Sequence, residues 1–246
     1  LRQQVEIEDP EPLSRFLGRQ HDSVKGSPSA LAFNMVDYVR QAVEHYVSCV
    51  ADPNVKFKQA ATPYPPDGAL AASGDETRGE LASSACSVVM KVLWVARLAR
   101  PDLMKATTDL ASAVSKWSAN DDKKAYRLIC YMRHTADLQL VGHVADPASD
   151  AKLTWWVDAD FGGDRLNARS TSAGVLMLTG PSTQFPIAWV CKRQTSTSRS
   201  TTESEVVSLA TSLFSEALPM QTLWEVILGE LTPKGATKIH RHPKAP

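Results

Sequence analysis

The hydrophobic period of this chain changes in its middle, and that change limits what it can fold into. Through residues 81–134 apolar side chains recur every three or four positions, whereas through residues 138–192 they alternate. The first spacing belongs to a helix face and the second to a half-buried strand, and one cannot substitute for the other. Leu81 to Arg97 carries Val88, Val89, Val92, Leu93 and Val95 and stops at Arg100-Pro101. Leu103 to Trp117 carries Leu103, Ala106, Leu110, Ala113, Val114 and Trp117. Asp121 to His134 begins on an acidic cap and turns Tyr126, Ile129, Cys130 and Met132 inward. Taken alone, these three segments predict a small helical bundle.

Beyond the change of period, Leu138 to Val144, Leu153 to Ala159, Ser170 to Thr179 and Phe185 to Lys192 read as strands. Turn chemistry separates the last three, at Phe161-Gly162-Gly163-Asp164 and Gly180-Pro181-Ser182. A hydroxyl run, TSTSRSTTE, leads into a long helix from about Thr202 to Leu228, with Gly229 as its terminator. Pro219 interrupts that helix and predicts a kink, because an internal proline costs about 3 kcal/mol in a straight helix. Ahead of the bundle, Ala30 to Phe33 reads as a short strand. A helix follows on which Tyr38, Val39, Ala42, Val43 and Tyr46 share a face. Residues 60–80 are rich in Pro, Gly, Ala and Ser and read as a surface connector. The class is α+β: a helical region, then a three-stranded antiparallel meander with a long helix laid on one face.

The 246 residues suit one large domain or two small ones. Formal net charge is zero, so no bulk field draws the chain to nucleic acid or to a membrane surface. The longest apolar run, SVVMKVLWVA, is too short and too charged to span a bilayer. Cys49, Cys86, Cys130 and Cys191 are widely separated and form no CxxC or Cys/His spacing, which argues against zinc. Scattered thiols, and an acidic opening, LRQQVEIEDPEP, that is no signal peptide, predict an intracellular protein, cytoplasmic or nuclear, and not a secreted one. That opening also lacks an initiating Met and reads as the interior of a longer polypeptide. Of the six tryptophans, Trp94, Trp117, Trp189 and Trp224 fall on apolar periodicities and are expected in the core.

Two acidic groups could carry chemistry. The strand in TWWVDADFGGD ends on Asp158 and Asp160, two apart and therefore on one face. Carboxylates that close repel unless a cation such as Mg²⁺ neutralises them or one takes a proton. TTESE places Glu203 and Glu205 at the start of the long helix, where the helix dipole favours them without any further role. Their side chains diverge by about 200°, so one of them at most reaches the strand aspartate. Apolar phasing through Val207, Ala210, Phe214 and Ala217 leans the core toward the Glu203 side.

The order of these pieces resembles the RNase H fold and, more closely, the Pol polyprotein of copia-type LTR retrotransposons. The residues that carry the resemblance are Val157-Asp158-Ala159-Asp160-Phe161-Gly162-Gly163-Asp164, Arg169-Ser170-Thr171-Ser172-Ala173-Gly174, Ile187-Ala188-Trp189 with Lys192-Arg193-Gln194, and Ser200-Thr201-Thr202-Glu203-Ser204-Glu205. Upstream, Phe16-Leu17-Gly18, Ala60-Ala61-Thr62-Pro63, Ala99-Arg100-Pro101-Asp102-Leu103 and Tyr131-Met132-Arg133-His134-Thr135 are similar to further segments of that family in the same order. The resemblance implies residues 1–59 as the end of a reverse transcriptase, 60–80 as a linker, and 81–145 as its helical tail or connection. It implies 146–246 as an RNase H-like domain truncated at its C-terminus. The implied activity is Mg²⁺- or Mn²⁺-dependent hydrolysis of RNA in an RNA/DNA hybrid, with Asp158 and Glu205 as the catalytic and metal-binding residues. Arg165, Arg169, Lys192, Arg193 and Arg199, with the hydroxyls of Ser196 to Thr202, are the implied contacts to the hybrid backbone. The upstream reverse transcriptase portion would be the other partner, and no membrane is involved.

The family's next carboxylate falls where this sequence reads His242-Pro243, so the resemblance implies a nuclease that is severely impaired. The same truncation predicts an open sheet edge and a long helix that is partly uncovered. One alternative is a catalytically dead nucleic-acid-binding remnant. A remote one is a glycosyltransferase of the DxD type, since Asp158-x-Asp160 also ends a hydrophobic strand.

Overall fold

A computed structural model of the chain describes residues 14–52, 54–66, 77–164, 167–231 and 237–241. Its strands are β1 (Arg15–Phe16), β2 (Arg19–Val24), β3 (Ser27–Asn34), β4 (Leu140–His143), β5 (Lys152–Asp164), β6 (Arg169–Thr179), β7 (Gln184–Arg193) and β8 (Thr237–Arg241). Its helices are α1 (Val36–Cys49), α2 (Ala85–Leu98), α3 (Met104–Ala113), α4 (Ala119–His134), α5 (Thr201–Ser212) and α6 (Leu218–Leu231). All eight strands join one sheet in the order β1-β2-β3-β4-β7-β6-β5-β8. Every neighbouring pair is antiparallel except β5 and β8, which run parallel.

The expected mixed class is observed, and the meander β5-β6-β7 is antiparallel. The three-stranded sheet is corrected to eight strands. The strands that periodicity passed over are short or polar: β2 reads RQHDSV and has no apolar alternation to detect. The expectation of an open edge beside β5 is corrected as well, because β8 pairs there with Leu153 to Val157. The glycine turn also moves. β5 continues through Asp164 by way of an irregularity after Asp160, with Gly162 at φ 64°, so the reversal follows Asp164.

Helices α1 to α4 form one layer around a dense apolar core. Val39, Val43, Leu81, Val88, Val92, Leu103, Leu110, Leu128, Ile129 and Met132 are all buried in it, together with Phe33 from β3. α4 starts on a capping box in which the Ser118 N–H donates to the Asp121 carboxylate at 3.0 Å. The Arg100-Pro101-Asp102 break is a structural tie. Arg100 is 3% exposed, grips Asp102 with two nitrogens, and donates to the Thr135 carbonyl at 2.8 Å, fastening the end of α2 to the end of α4. Trp117 is buried as expected, but Trp94 is 39% exposed and its indole donates to the Leu17 carbonyl.

This helical layer covers the sheet face carrying Trp189 and Cys191. The Trp189 indole donates to the Ala96 carbonyl at 2.7 Å, and the Thr108 hydroxyl to that of Cys191 at 3.2 Å. Helices α5 and α6 lie on the opposite face, over Leu153, Trp155, Val157, Leu176 and Leu178. Residue 146 falls between β4 and β5, and the sheet runs across it, since β4 pairs with both β3 and β7. The β4–β7 junction is narrow. It has one registered pair, His143 with Gln184, supported by an edge-to-face contact of Phe33 with Phe185 at 5.6 Å.

Candidate functional site

Helix α5 is amphipathic in reverse. Ser204, Ser208 and Ser212, spaced by four, are its fully buried positions and face the sheet. The Ser208 hydroxyl donates to the Asp158 carbonyl at 2.7 Å, and Gln194 donates to the Ser204 carbonyl at 2.9 Å and to the Ser172 hydroxyl at 3.1 Å. Small side chains let the helix sit close to the strands, and glycine serves the same end opposite: a Cβ on Gly174 would come within 2.8 Å of the Trp155 indole nitrogen. The Ser200 hydroxyl caps the helix by accepting from the Glu203 N–H at 3.1 Å.

Leu213, Met220 and Trp224 pack partly buried against the sheet, but several other large apolar residues point outward. Val206 is 59% exposed, Phe214 71%, Leu223 51% and Val226 60%, with Leu209, Leu218 and Ile227 also exposed. Phe214, Leu218 and Val226 lie in one row at multiples of four, with Thr222 between the last two, and Leu223 and Ile227 form the adjacent row. The expected disturbance at Pro219 takes the form of a π-helical turn at Leu213–Ala217. It absorbs the hydrogen bond that proline cannot make and keeps the two helices continuous. Gly229 does not end the helix, which runs to Leu231.

The phasing argument for the α5 core is therefore corrected. Glu203 is exposed and accepts from the Arg199 N–H, while Glu205 is 9% exposed within the layer. Asp158 and Asp160 share the exposed, even-numbered face of β5, and Lys105 of α3 stands 3.9 Å from Asp160. That is the face turned toward α3, whereas Glu205 comes from the helix over the other face. Asp158 and Glu205 thus approach from opposite sides of the sheet. Among the described residues, no group of three or more His, Cys, Asp or Glu side chains is placed to hold a metal ion.

The basic residues are also dispersed. Arg193 is committed to an ion pair with Asp164 at 2.7 Å. Arg169 sits opposite Asp164 in the β5–β6 register, and Lys192 and Arg199 are exposed. Arg165 and the His242-Pro243 pair lie outside the described residues. The hydroxyl run is partly structural: Ser198 donates to Gln194 at 3.1 Å and Ser200 is the helix cap.

No protein-family model matches the chain. A stretch of 124 residues is 30% identical to Secreted RxLR effector protein 161 of Plasmopara viticola, covering 50% of this chain and 82% of that protein. The chain belongs to the family of this effector. Membership in an effector family overturns the expected retroelement RNase H activity, whether active or dead, because the relative is described as an effector and not as a nuclease. The intracellular expectation is overturned too, since the relative is described as secreted. The glycosyltransferase alternative is not supported by the fold: among the described residues, antiparallel strands and helices, not a parallel nucleotide-binding half, precede Asp158. Among the described residues, no helix is long and apolar enough to cross a membrane.

The outward face of α5–α6 is the candidate surface that sequence reasoning missed in this effector-family chain. A signal was present: serines at 204, 208 and 212 mark a close seam, and the apolar residues of 213–227 occur at every helical phase. A helix that is apolar all round needs cover on more than one side.

Proposed function

We propose that the chain is a non-catalytic binding protein of the secreted-effector type, which works by docking another protein on the outward face of α5–α6. The observation that carries this reading is the row Phe214, Leu218 and Val226 with its neighbours Leu223 and Ile227, all exposed on one surface. Contiguous apolar surface rimmed by polar residues marks interaction sites in soluble proteins. The description of the relative as a secreted effector is consistent with a protein that acts by contact and outside the cell that makes it.

The scaffold has a reading of its own. The unit β7-β6-β5-β8, three antiparallel strands and then a helix leading to a strand parallel to the first, supports an RNase H-like architecture. The motif order supports a copia-type Pol origin for that scaffold, now serving binding.

A photo-crosslinking residue placed at Phe214 or Val226, in protein delivered to its target tissue, tests the reading. A discrete protein adduct is expected from these positions and none from the exposed Thr211. Equal labelling at all three positions would refute it. Purified chain with Mg²⁺ and an RNA/DNA hybrid is expected to leave the RNA uncut.

A further inference from the structure

Within residues 201–231, which span both outward-facing helices, there are five glutamates (Glu203, Glu205, Glu216, Glu225 and Glu230) and no Lys, Arg or His. We infer that the occupant of the α5–α6 face is an amphipathic helix of the partner protein, apolar on one side and flanked by Lys or Arg. This inference rests on the docking reading above and names the chemistry of its partner.

Geometry supplies the helical shape. From Phe214 to Val226 the row extends over about 18 Å at 1.5 Å per residue, the length of roughly three turns of a facing helix. Such helices lay an apolar stripe into a groove or row through anchors at i, i+3 or i+4, and i+7. The row cannot be hidden by rolling α5 about its axis. The Ser208 bond to the Asp158 carbonyl and the Gln194 bonds to Ser204 and Ser172 hold the serine seam against the sheet.

Charge selects among occupants. Glu225 is exposed beside the row and held by the Gln221 amide at 2.8 Å, and the exposed Glu203 stands toward the start of α5. A second copy of this chain would bring the same acidic border against itself. An anionic bilayer surface would meet the exposed Glu203 and Glu225 and, within residues 201–231, no cation to anchor it. A cationic helix meets neither penalty, and its charges speed encounter and fix its register.

The test uses the full chain and labelled synthetic peptides of about 18 residues, long enough to cover the row as a helix. One peptide carries a leucine stripe flanked by lysines, the second has the same stripe flanked by glutamates, and the third is a scramble of the first. Fluorescence anisotropy should show binding of the lysine peptide, weakened about tenfold by a rise in salt that screens exposed charges. The glutamate peptide should bind at least about tenfold more weakly, since facing like charges oppose association. Phe214→Ser with Val226→Ser should abolish binding while leaving the melting curve in place. Glu225→Lys should shift the preference between the two charged peptides toward the glutamate peptide.

Equal binding of the lysine and glutamate peptides overturns the inference, since charge then does not select the occupant. Failure of all peptides, with a crosslinked protein still captured at Phe214, overturns the inference and leaves the docking reading intact. Dimerisation in the ultracentrifuge that is lost in the Phe214→Ser and Val226→Ser variant assigns the face to a second copy and overturns the inference. Sedimentation with phosphatidylcholine–phosphatidylglycerol vesicles through the same residues overturns both.

Discussion

Two helical layers cover the same sheet, and they are built on opposite rules. The layer of α1 to α4 turns its large aliphatic side chains inward: Val39, Val88, Val92, Leu103, Leu128 and Ile129 are all within a few per cent of complete burial. In the α5–α6 layer, the fully buried apolar positions over β5 and β6 come from the strands, with Ala217 as the helix's contribution. The inner seam of α5 is serine, Leu213, Met220 and Trp224 pack only partly buried, and Phe214, Leu218, Leu223 and Val226 look outward. Among the described residues, the buried side-chain polar atoms without a hydrogen-bond partner are Trp155 Nε1, Ser212 Oγ and Trp224 Nε1, and all three lie where this second layer meets the sheet. The first layer is therefore shaped for stability. The second gives up buried area and unpaired donors to display an apolar face.

The largest effect that would break this contrast is in the core of the first layer. Leu103→Ala should cost about 2–5 kcal/mol in urea unfolding. Leu218→Ala, on the outward face, should stay within about 0.5 kcal/mol. Similar costs at the two sites would erase the difference between the layers. Native-state hydrogen exchange is the next measure. The amides of α5 and α6 should open at least about 2 kcal/mol more easily than those of α2 and α4, as local unfolding follows local burial. Uniform protection would contradict the comparison.

Smaller effects sharpen it within the seam. Ser208→Ala removes a bond to the Asp158 carbonyl and should cost about 1 kcal/mol, whereas Ser212→Ala removes an unpaired hydroxyl and should be neutral or gain up to about 1 kcal/mol. Equal losses at both serines would show that Ser212 is paired after all. The smallest effect is kinetic. The Cys86 thiol is exposed and should react first with a thiol reagent, while buried Cys130 should react only on unfolding. Burial pushes the Cys191 thiol above its ordinary range. Less of it is thiolate at a given pH, so its labelling should still be accelerating where an ordinary thiol has levelled off. Matched pH profiles for Cys86 and Cys191 would remove that distinction.

The sequence was most legible where one face of an element is buried in aliphatic side chains. The helical period of α2 and the alternation of β5 to β7 both follow from that requirement. It failed at β2, whose residues are polar, and at the reversal after β5, where a glycine irregularity replaced the expected glycine turn. It failed most instructively at α5, where the lean of the apolar phase does not mark the inside. There the inward positions are serines, because a helix lying close to a sheet needs small side chains more than apolar ones. The carboxylate pair was legible as residues but not as a site. Strand parity turns Asp158 toward α3, while Glu205 rides on the helix across the sheet.

Local chemistry alone determined that helices precede a meander, that an acidic stretch at Asp121 opens a helix, and that Pro219 disturbs one. It also set an unbroken run of 31 residues with glutamates and no cation. Tertiary structure decided which face of each element is inside. Burial is a property of the partner surface, and the sheet offered α5 hydrogen bonds and close approach, leaving Phe214, Leu218 and Val226 with solvent on one side.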